Sequence, residues 1–502
     1  MTPAPTLFLT LVFAILLSAC DGSGHDRSYA EQAGIDAVDQ AAGATPFVAQ
    51  LGHALRDFDH LDSIAFRVAP RPGTFSQPVQ VSYDRDWLAR RAAWDGARQR
   101  IVFPVFGLYA GYANEVTLSA RFRDGSRHLS RLTVTTAPYD GPAAVYTTPD
   151  VRSARTGAWP GFDFMLVRNR LSGPVILDTD GHLRWVGAGL PSSLSATFGG
   201  DAFYIGDQEA PRLYRMDVDG ALQSAALSDG RYARFHHELA PGKTGLLAEV
   251  DVLDNGVLLL ESTLAEIDAS GRVIKEWNLG QIFRDAMRAG GDDPDRFVRD
   301  GIDWFHMNSA IYDRADDALL ISSRENFVVK LDYASGRILW LLGDPGKHWY
   351  VNFPSLRALA LAVTGGKPPI GQHALSVLPN GELLLFNNGW PSFNNPPGTP
   401  AGEARSYSTP SRYAIDARAR TAREVWTWDA DRSRRSDVCS SVYEGAPGHY
   451  LVAYAALEER TQARLTGVDG AGRIAFDYAY PTVQCDTVFL AQPFRLDALR
   501  LR

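Results

Sequence analysis

One strand-turn-strand pattern recurs six times between residues 175 and 476, and it restricts this chain to a repeat fold. In most copies an apolar strand ends at an Asp, a Gly follows within a few residues, and a second strand delivers an aromatic side chain. Asp accepts local backbone hydrogen bonds and Gly supplies a positive φ, so each copy is predicted to be a β-hairpin. The six aspartates are Asp178, Asp217, Asp268, Asp332, Asp416 and Asp469.

Six such hairpins predict six sheets stacked in a closed ring, because one sheet cannot bury its own faces and must pack on neighbours. We therefore predict an all-β fold, with a six-bladed β-propeller over residues 162–502. Residues 60–140 alternate apolar and polar side chains, which predicts a small N-terminal β-sandwich-like domain over residues 46–145. Residues 146–161 are rich in Pro, Gly, Thr and Arg and are expected to form a linker.

Three segments place histidine just before an apolar, strand-like run, and they carry the chemistry of the chain. They are Phe235–Glu238, Asp303–Ser309 and Gly371–Ala374, and Arg324 follows a fourth such run. If these strands lie in successive blades, their histidines and the arginine converge on one axial pocket. Imidazoles plus a guanidinium, with no carboxylate evident among them, indicate a site for an anion rather than a metal. No metal and no organic cofactor is therefore expected.

The N-terminus has the pattern of an exported lipoprotein. The apolar run Leu7–Leu17 is too short to span a bilayer permanently, and Leu17–Cys20 looks like a bacterial lipobox. We expect residues 1–19 to be a signal peptide, Cys20 to be lipidated, and residues 20–45 to form a flexible tether in the periplasm-facing cell envelope. No basic residue precedes the apolar run, so an ordinary secretory signal with an incidental cysteine is the alternative.

Net charge and cysteine content limit which binding partners and which disulfide are expected. The net charge is −8 and the basic residues are scattered, which argues against nucleic acid. Membrane contact is expected through the lipid anchor only. If Cys20 is lipidated, Cys439 and Cys485 remain, and they can pair in an exported compartment. Two buried free thiols are the alternative.

Several motifs together resemble the bacterial arylsulfate sulfotransferases, from about residue 60 to the C-terminus. They are Phe106–Leu118, Asp303–Ser309, Ile321–Arg324, Leu341–Pro345, and Gln372-His373 with Asn380-Gly381. The resemblance implies a six-bladed propeller with a β-sandwich domain, exported and often a homodimer. It also implies transfer of a sulfuryl group from a phenolic sulfate ester to another phenol, without the nucleotide sulfate donor PAPS.

The resemblance assigns roles to individual residues. His373 matches the histidine that becomes transiently sulfated, which implies ping-pong kinetics. His306, Asn308 and Arg324 match residues that hold the sulfate oxygens. A further sulfate-binding histidine falls in the pair His236-His237, and the position of His237 ahead of its strand favours His237.

Three departures from the family pattern and two alternative functions stay open. Met307 stands where the family commonly has a polar residue, Asn387 stands where an acid is usual, and the cysteines lie much farther apart than the family's closely spaced pair. The segment Asp332–Trp340 resembles the docking repeats of quinone-dependent dehydrogenases, although those use eight blades and a calcium site. The other alternative is a ligand-binding propeller lipoprotein without enzymatic activity.

Overall fold

The computed structural model describes residues 27–34, 37–428 and 432–501, and this part of the chain is built mainly of strands. Its all-β class confirms the predicted fold class. The predicted signal peptide and Cys20 lie outside the described residues. No helix in the described ranges is long and apolar enough to cross a membrane. The α-helices there are α1 (Tyr29–Ala33), α2 (Arg85–Arg90), α3 (Leu279–Ala289), α4 (His348–Asn352) and α5 (Pro354–Arg357).

The N-terminal region contains two sheets that share one apolar core. Its strands are β1 (Ala37–Ala42), β2 (Val48–Ala54), β3 (Leu61–Val68), β4 (Val79–Asp84), β5 (Trp94–Asp95), β6 (Arg100–Phe106), β7 (Ala113–Phe122) and β8 (Arg127–Thr135). The first sheet has the order β1-β2-β6-β5, and the second includes β4-β3-β7-β8. Phe66 on β3 and Phe106 on β6 bring the sheets together, with ring centroids 5.4 Å apart. Burial alternates along β3 and β7, as expected of strands with one solvated face.

The predicted flexible tether is wrong for its described part, because residues there pack on the N-terminal region. Ser28 and Glu31 form a reciprocal capping box that starts α1. The backbone N–H of Tyr29 donates to Asp124 (2.8 Å), and the Tyr29 ring stacks on His60 at 3.9 Å. Strand β1 pairs antiparallel with β2. Small, polar composition suggested a tether, but the Ser-x-x-Glu pattern specified a helix start.

Six sheets follow in the described residues between 150 and 494. Their strands are β9 (Asp150–Ser153), β10 (Phe164–Arg168), β11 (Val175–Asp178), β12 (Leu183–Val186), β13 (Ala196–Gly199), β14 (Ala202–Gly206), β15 (Arg212–Asp217), β16 (Leu222–Ala226), β17 (Tyr232–Pro241), β18 (Leu246–Asp254), β19 (Val257–Ile267), β20 (Val273–Asn278), β21 (Met307–Asp313), β22 (Ala318–Ser323), β23 (Phe327–Asp332), β24 (Ile338–Gly343), β25 (Ala362–Gly365), β26 (His373–Val377), β27 (Leu383–Asn387), β28 (Thr409–Asp416), β29 (Thr421–Thr427), β30 (Ser441–Ala446), β31 (His449–Leu457), β32 (Gln462–Val468), β33 (Ile474–Pro481) and β34 (Leu490–Phe494).

Each of the six predicted hairpins forms two neighbouring strands of one of these sheets, and in the first four sheets it is the outer pair. The pairs are β11–β12, β15–β16, β19–β20, β23–β24, β28–β29 and β32–β33. Asp178 accepts the backbone N–H groups of Asp180 and His182, and Gly181 has φ +86°. The turn chemistry is therefore as predicted from the repeat.

The ring of sheets closes by combining strands from both of its ends. Strand β34 pairs antiparallel with β10, so the first sheet has the order β12-β11-β10-β34. The innermost strands of successive sheets contact one another, from β13 through β17, β21, β26 and β30 to β34. Phe198 on β13 and Phe494 on β34 meet with ring centroids 5.2 Å apart, which completes the circle.

Two short strands pair in ways that the predicted domain boundaries do not imply. Strand β9 falls in the predicted linker, yet it pairs antiparallel with β33 at the outer edge of the sixth sheet. The last strand, β35 (Leu499–Leu501), leaves the ring and runs parallel to β4 in the N-terminal region. Both cover sheet edges that would otherwise leave backbone groups unpaired. The two regions are thus joined at both ends of the ring.

The predicted disulfide between Cys439 and Cys485 is confirmed, with Cα atoms 6.5 Å apart. It links the loop before β30 to the loop before β34, and its two cysteines are 46 positions apart in the sequence. Cross-linking a loop of this length removes entropy from the unfolded chain.

We expect the double variant Cys439→Ser, Cys485→Ser to lower the free energy of unfolding by about 4 kcal/mol, since the stabilisation scales with the logarithm of loop length. Urea denaturation monitored by tryptophan fluorescence measures the change. Reduction of the unaltered protein should give the same midpoint as the double variant. An unchanged midpoint in both would show that the bridge contributes nothing to stability.

Candidate active site

The three histidine segments lie at register shifts of inner strands, within β17 and at the beginnings of β21 and β26. The antiparallel register shifts between Phe235 and Leu239 on β17, and similar shifts occur beside Met307 on β21 and after His373 on β26. A bulge adds an unpaired residue and re-aims the side chains around it. His306 adopts φ +51°, a left-handed conformation that is rare for residues other than Gly and typical of functional sites.

The bulges bring His237 and His306 together around one carboxylate. Their ring centroids lie 4.8 Å apart. Glu261 Oε2 on β19 lies 3.2 Å from His237 Nε2 and 2.8 Å from His306 Nδ1. Asp303 Oδ2 lies 2.6 Å from the same His306 nitrogen. Glu261 therefore bridges two histidines from neighbouring sheets.

These contacts favour a protonated His306 and an ionised Glu261. Burial disfavours a charged His306 ring, but the carboxylates of Glu261 and Asp303 outweigh it and raise the pKa of His306 to about 9. Burial likewise disfavours a charged Glu261, yet His306 and His237 hold the pKa of Glu261 well below its usual range. At neutral pH His306 is an imidazolium whose Nδ1–H is held by carboxylates, so its Nε2–H is available to a ligand.

His373 is buried and its ring is held at Nδ1. That nitrogen lies 2.8 Å from Asn388 Oδ1 and 3.1 Å from the backbone oxygen of Gly371. Both oxygens accept hydrogen bonds only, so Nδ1 carries the proton and Nε2 keeps its lone pair. Within the residues that the structure describes, Nε2 has no hydrogen-bond partner.

The surroundings keep His373 neutral. Burial holds its pKa well below the usual range, and nearby His237, His306 and Arg324 act in the same direction, against the hydrogen bond that Nδ1–H donates to Asn388 Oδ1. A buried, neutral imidazole with a free lone pair is a nucleophile rather than a proton donor.

Arg324 follows β22 and is tied to the same centre. Its backbone N–H donates to the carbonyl oxygen of His306 (3.0 Å). Its guanidinium pairs with Glu325 and lies 4.4 Å from the centre of the Phe393 ring. Arg324 Nε is buried and has no hydrogen-bond partner in the described ranges. The guanidinium thus has donor capacity left for an anion.

Asn308 supports the strand that begins at His373. Its Nδ2 donates to the backbone oxygen of Gln372 (2.9 Å), the residue before His373. The Gln372 side chain in turn donates to Ser322 Oγ (3.0 Å) and to the Ser323 carbonyl (2.9 Å). The family resemblance implies that Asn308 holds sulfate oxygens. One of its two amide hydrogens is already used for this backbone contact.

His236 and His237 contact different groups. His237 contacts Glu261 and His306, whereas His236 points to the carboxylates of Glu249 (3.6 Å) and Asp251 (3.8 Å) without a hydrogen bond to either. Burial lowers the pKa of His236 to about 4, so His236 is neutral. The structure therefore places His237, not His236, against His306.

A cavity of about 650 Å³ opens beside the bridged histidines. Its walls come from the first three sheets of the ring and combine apolar and polar side chains. They include Arg170, Leu190, Ile205, Tyr214, Arg234 and Phe235, together with His236, His237 and Glu261. A cavity of this size can hold a small organic ligand beside His237 and Glu261.

The long loop over residues 389–406 packs against the opposite side of the site. The backbone N–H groups of Phe393 and Asn394 donate to Glu325 Oε2, at 2.7 and 2.9 Å. The Asn394 side chain donates to Asp303 Oδ2 at 3.2 Å. The loop is therefore anchored to the partners of both Arg324 and His306.

The expectation of a pocket without carboxylates is wrong, because Glu261 and Asp303 contact its histidines. Asp303 could have been found from its i, i+3 spacing to His306, but Glu261 has no local signal. The ligand atoms of Glu261, Asp303 and His306 lie within 4.8 Å of one another, as do those of His236, His237 and Glu261. Either set could hold a metal ion only if its histidine nitrogens were deprotonated, which the carboxylates oppose at His306.

Comparison with known proteins finds a matching family profile and similar proteins in two bacteria. The arylsulfotransferase (ASST) family profile matches residues 150–487. Arylsulfate sulfotransferase AssT of Escherichia coli O6:H1 is 25% identical over 331 residues, covering 51% of this chain and 52% of that protein. The same-named protein of Lelliottia amnigena is 25% identical over 217 residues, covering 34% and 35%. The alignments thus span about half and about a third of these relatives.

Among solved structures, the β-propeller domain of Myceliophteria thermophila Cps50 (Swd1) is 13% identical, with a TM-score of 0.34, covering 65% of this chain and 88% of that one. The family profile covers well over half of the chain and includes every residue of the site described above. The chain belongs to the arylsulfotransferase family.

Proposed function

We propose that the protein is an arylsulfate sulfotransferase that moves a sulfuryl group from a phenolic sulfate ester to a phenolic acceptor, through a covalent sulfohistidine at His373 Nε2 and without PAPS. The observation that supports this most is a neutral His373 whose lone pair is free beside the cations His306 and Arg324. A nucleophile next to fixed positive charge is what transfer of an anionic group requires.

In the first half-reaction, the His373 Nε2 lone pair attacks sulfur in line with the ester oxygen. The N–S bond forms, the S–O bond to the phenol breaks, and its electron pair stays on the phenolate oxygen. Such loose transition states spread negative charge over three equatorial oxygens. We infer that Arg324 and His237 hold those oxygens.

His306 supplies the proton. Its Nε2–H passes to the departing phenolate, which leaves a neutral ring with Nδ1–H still held by Glu261 and Asp303. Its pKa of about 9 is close to the value of about 10 for a phenol, so proton transfer is nearly balanced in energy. In the second half-reaction the acceptor phenol returns a proton to His306, its oxygen bonds to sulfur, and the N–S electron pair returns to His373.

A colorimetric assay tests the proposal. With 4-nitrophenyl sulfate, nitrophenolate released only when a phenol is added indicates a transferase. Release without an acceptor would indicate a sulfatase. No release, together with an absorbing bound cofactor, would favour the quinone-dependent dehydrogenase alternative. A control with the acceptor alone excludes background colour.

Replacing Arg324 by lysine tests how the sulfate oxygens are held. Lysine keeps the charge but loses the planar bidentate donors, and kcat/KM for 4-nitrophenyl sulfate should fall about 10- to 100-fold. Arg435 is the matched control, because its guanidinium stacks on Trp390 of the 389–406 loop (4.4 Å) in the way that Arg324 stacks on Phe393. Arg435→Lys should stay within about two-fold of the unaltered protein. Equal losses in both variants would remove Arg324 from this role.

A further inference from the structure

Asn388 follows strand β27, is fully buried, and has every hydrogen-bonding group of its side chain engaged. Its Nδ2 donates to the carbonyl oxygens of Ser436 (2.8 Å) and Cys439 (3.0 Å). Carbonyl oxygens only accept, so the amide cannot be turned around. Its Oδ1 must therefore face His373 Nδ1, at 2.8 Å.

The anchors of this amide are themselves fixed. Cys439 is held by the disulfide to Cys485. Ser436 Nα–H donates to Ser408 Oγ (2.9 Å), and Ser408 Oγ also donates to the backbone oxygen of Asn388 (2.9 Å). The position of Asn388 Oδ1 is thus determined by the folded ring and does not depend on the nucleophile.

We propose that Asn388 is a positioning residue that holds His373 in the Nδ1–H tautomer and, because its side chain is a neutral amide, keeps the sulfohistidine reactive. This inference rests on the proposed function. In the other tautomer, the Nδ1 lone pair would face two acceptor oxygens, of Asn388 and Gly371, and Nε2 would carry a hydrogen instead of the attacking pair.

The neutrality of the amide matters once the N–S bond has formed. The sulfurylated ring is a cation that retains its Nδ1–H, and it loses that charge when the N–S electron pair returns to Nε2. A carboxylate at position 388 would stabilise the cation and slow its transfer to the acceptor. It would also favour protonation of the free ring, which removes the nucleophile. An amide accepts the same hydrogen bond without either effect.

The test is the pH profile of kcat/KM for Asn388→Asp, with transfer rates to phenol measured from the preformed intermediate. We expect the acidic limb of the profile to move up by about one to three pH units. We also expect transfer to phenol to slow by about 10- to 100-fold, the range found when the hydrogen-bond partner of a metal-ligating histidine is altered. A purely structural defect would lower activity at every pH without moving the limb.

Asn387 provides a matched control one position earlier. It is equally buried, but its side chain contacts Pro368, Ile370 and Tyr413 rather than His373. Asn387→Asp should leave the acidic limb where it is in the unaltered protein. The proposal is overturned if Asn388→Asp keeps the original profile, or if Asn387→Asp moves the limb as far.

A second measurement covers the case in which Asn388→Asp does not fold. NMR of the unaltered protein with labelled histidine rings, assigned by the signal lost in His373→Ala, should show hydrogen on Nδ1 and none on Nε2 of His373 at neutral pH. Hydrogen on Nε2 would overturn the proposal. Because this readout needs no turnover, it separates failure of the Asn388 role from failure of sulfuryl transfer itself, which the nitrophenyl assay reports.

Discussion

Replacing His373 by alanine is expected to lower kcat for sulfuryl transfer by about 10⁴-fold or more, because loss of a covalent nucleophile removes the reaction path and not just a stabilising contact. The measurement is nitrophenolate release with saturating phenol. The fold should persist, since the ring of His373 bonds to Asn388 and Gly371 and carries none of the sheet's backbone pairing.

His128 on β8 is a suitable control, because it lies in the N-terminal region away from the ring's inner strands. His128→Ala should retain activity within about two-fold. Thermal unfolding of both variants by circular dichroism separates loss of chemistry from loss of fold. Sustained turnover by a folded His373→Ala protein would mean that sulfur is attacked by another group.

Replacing Glu261 by glutamine is expected to lower kcat/KM by about 100- to 1000-fold at pH 8, the range found when one preorganised electrostatic group is removed from an active site. Glu261 is the carboxylate that bridges His237 and His306. Without it, the His306 ring loses the charge that keeps it protonated, and the phenolate loses its proton donor.

The raised pKa of His306 predicts the direction in which activity changes with pH. The pKa of His306 is raised from 6.5 to about 9, so the protonated ring is fully present below the lower value and is lost as pH rises through the higher one. Activity of the unaltered protein should therefore decline above about pH 9, and in Glu261→Gln the decline should begin at lower pH.

Glu209 lines the same cavity and is the control carboxylate, since it lies at the exposed end of the wall. Glu209→Gln should keep both the rate and the position of the basic limb. A basic limb that stays near pH 9 in Glu261→Gln would contradict the proposed link between Glu261 and the charge of His306.

Much of the fold could be predicted because its signals are local. The turns that begin at an Asp mark one hairpin in each sheet, as in β11–β12 at Asp178 and Gly181. The order of the sheets follows from the order of the hairpins. What was missed depends on contacts between distant segments. Strand β35 pairs with β4, which lies near the other end of the sequence. No feature of Leu499–Leu501 predicts that partner.

The candidate site shows the same division. His237, His306, Arg324 and His373 could be found because each stands beside a recognisable strand. Glu261 could not, because its role comes from an irregular register in β18–β19 and from φ +46°. Its carboxylate contacts His237 of its own sheet and His306 of the next sheet. A carboxylate in the middle of a strand sequence is indistinguishable from a solvated one until the ring has closed.

Intact-mass analysis of the protein mixed with 4-nitrophenyl sulfate alone examines the sulfohistidine itself. One added SO₃ group per chain is expected, acid-labile, located on the peptide containing His373, discharged by phenol, and absent from His373→Ala. Rapid transfer to phenol with no adduct at any time, or an adduct on a different residue, would contradict a covalent role for His373.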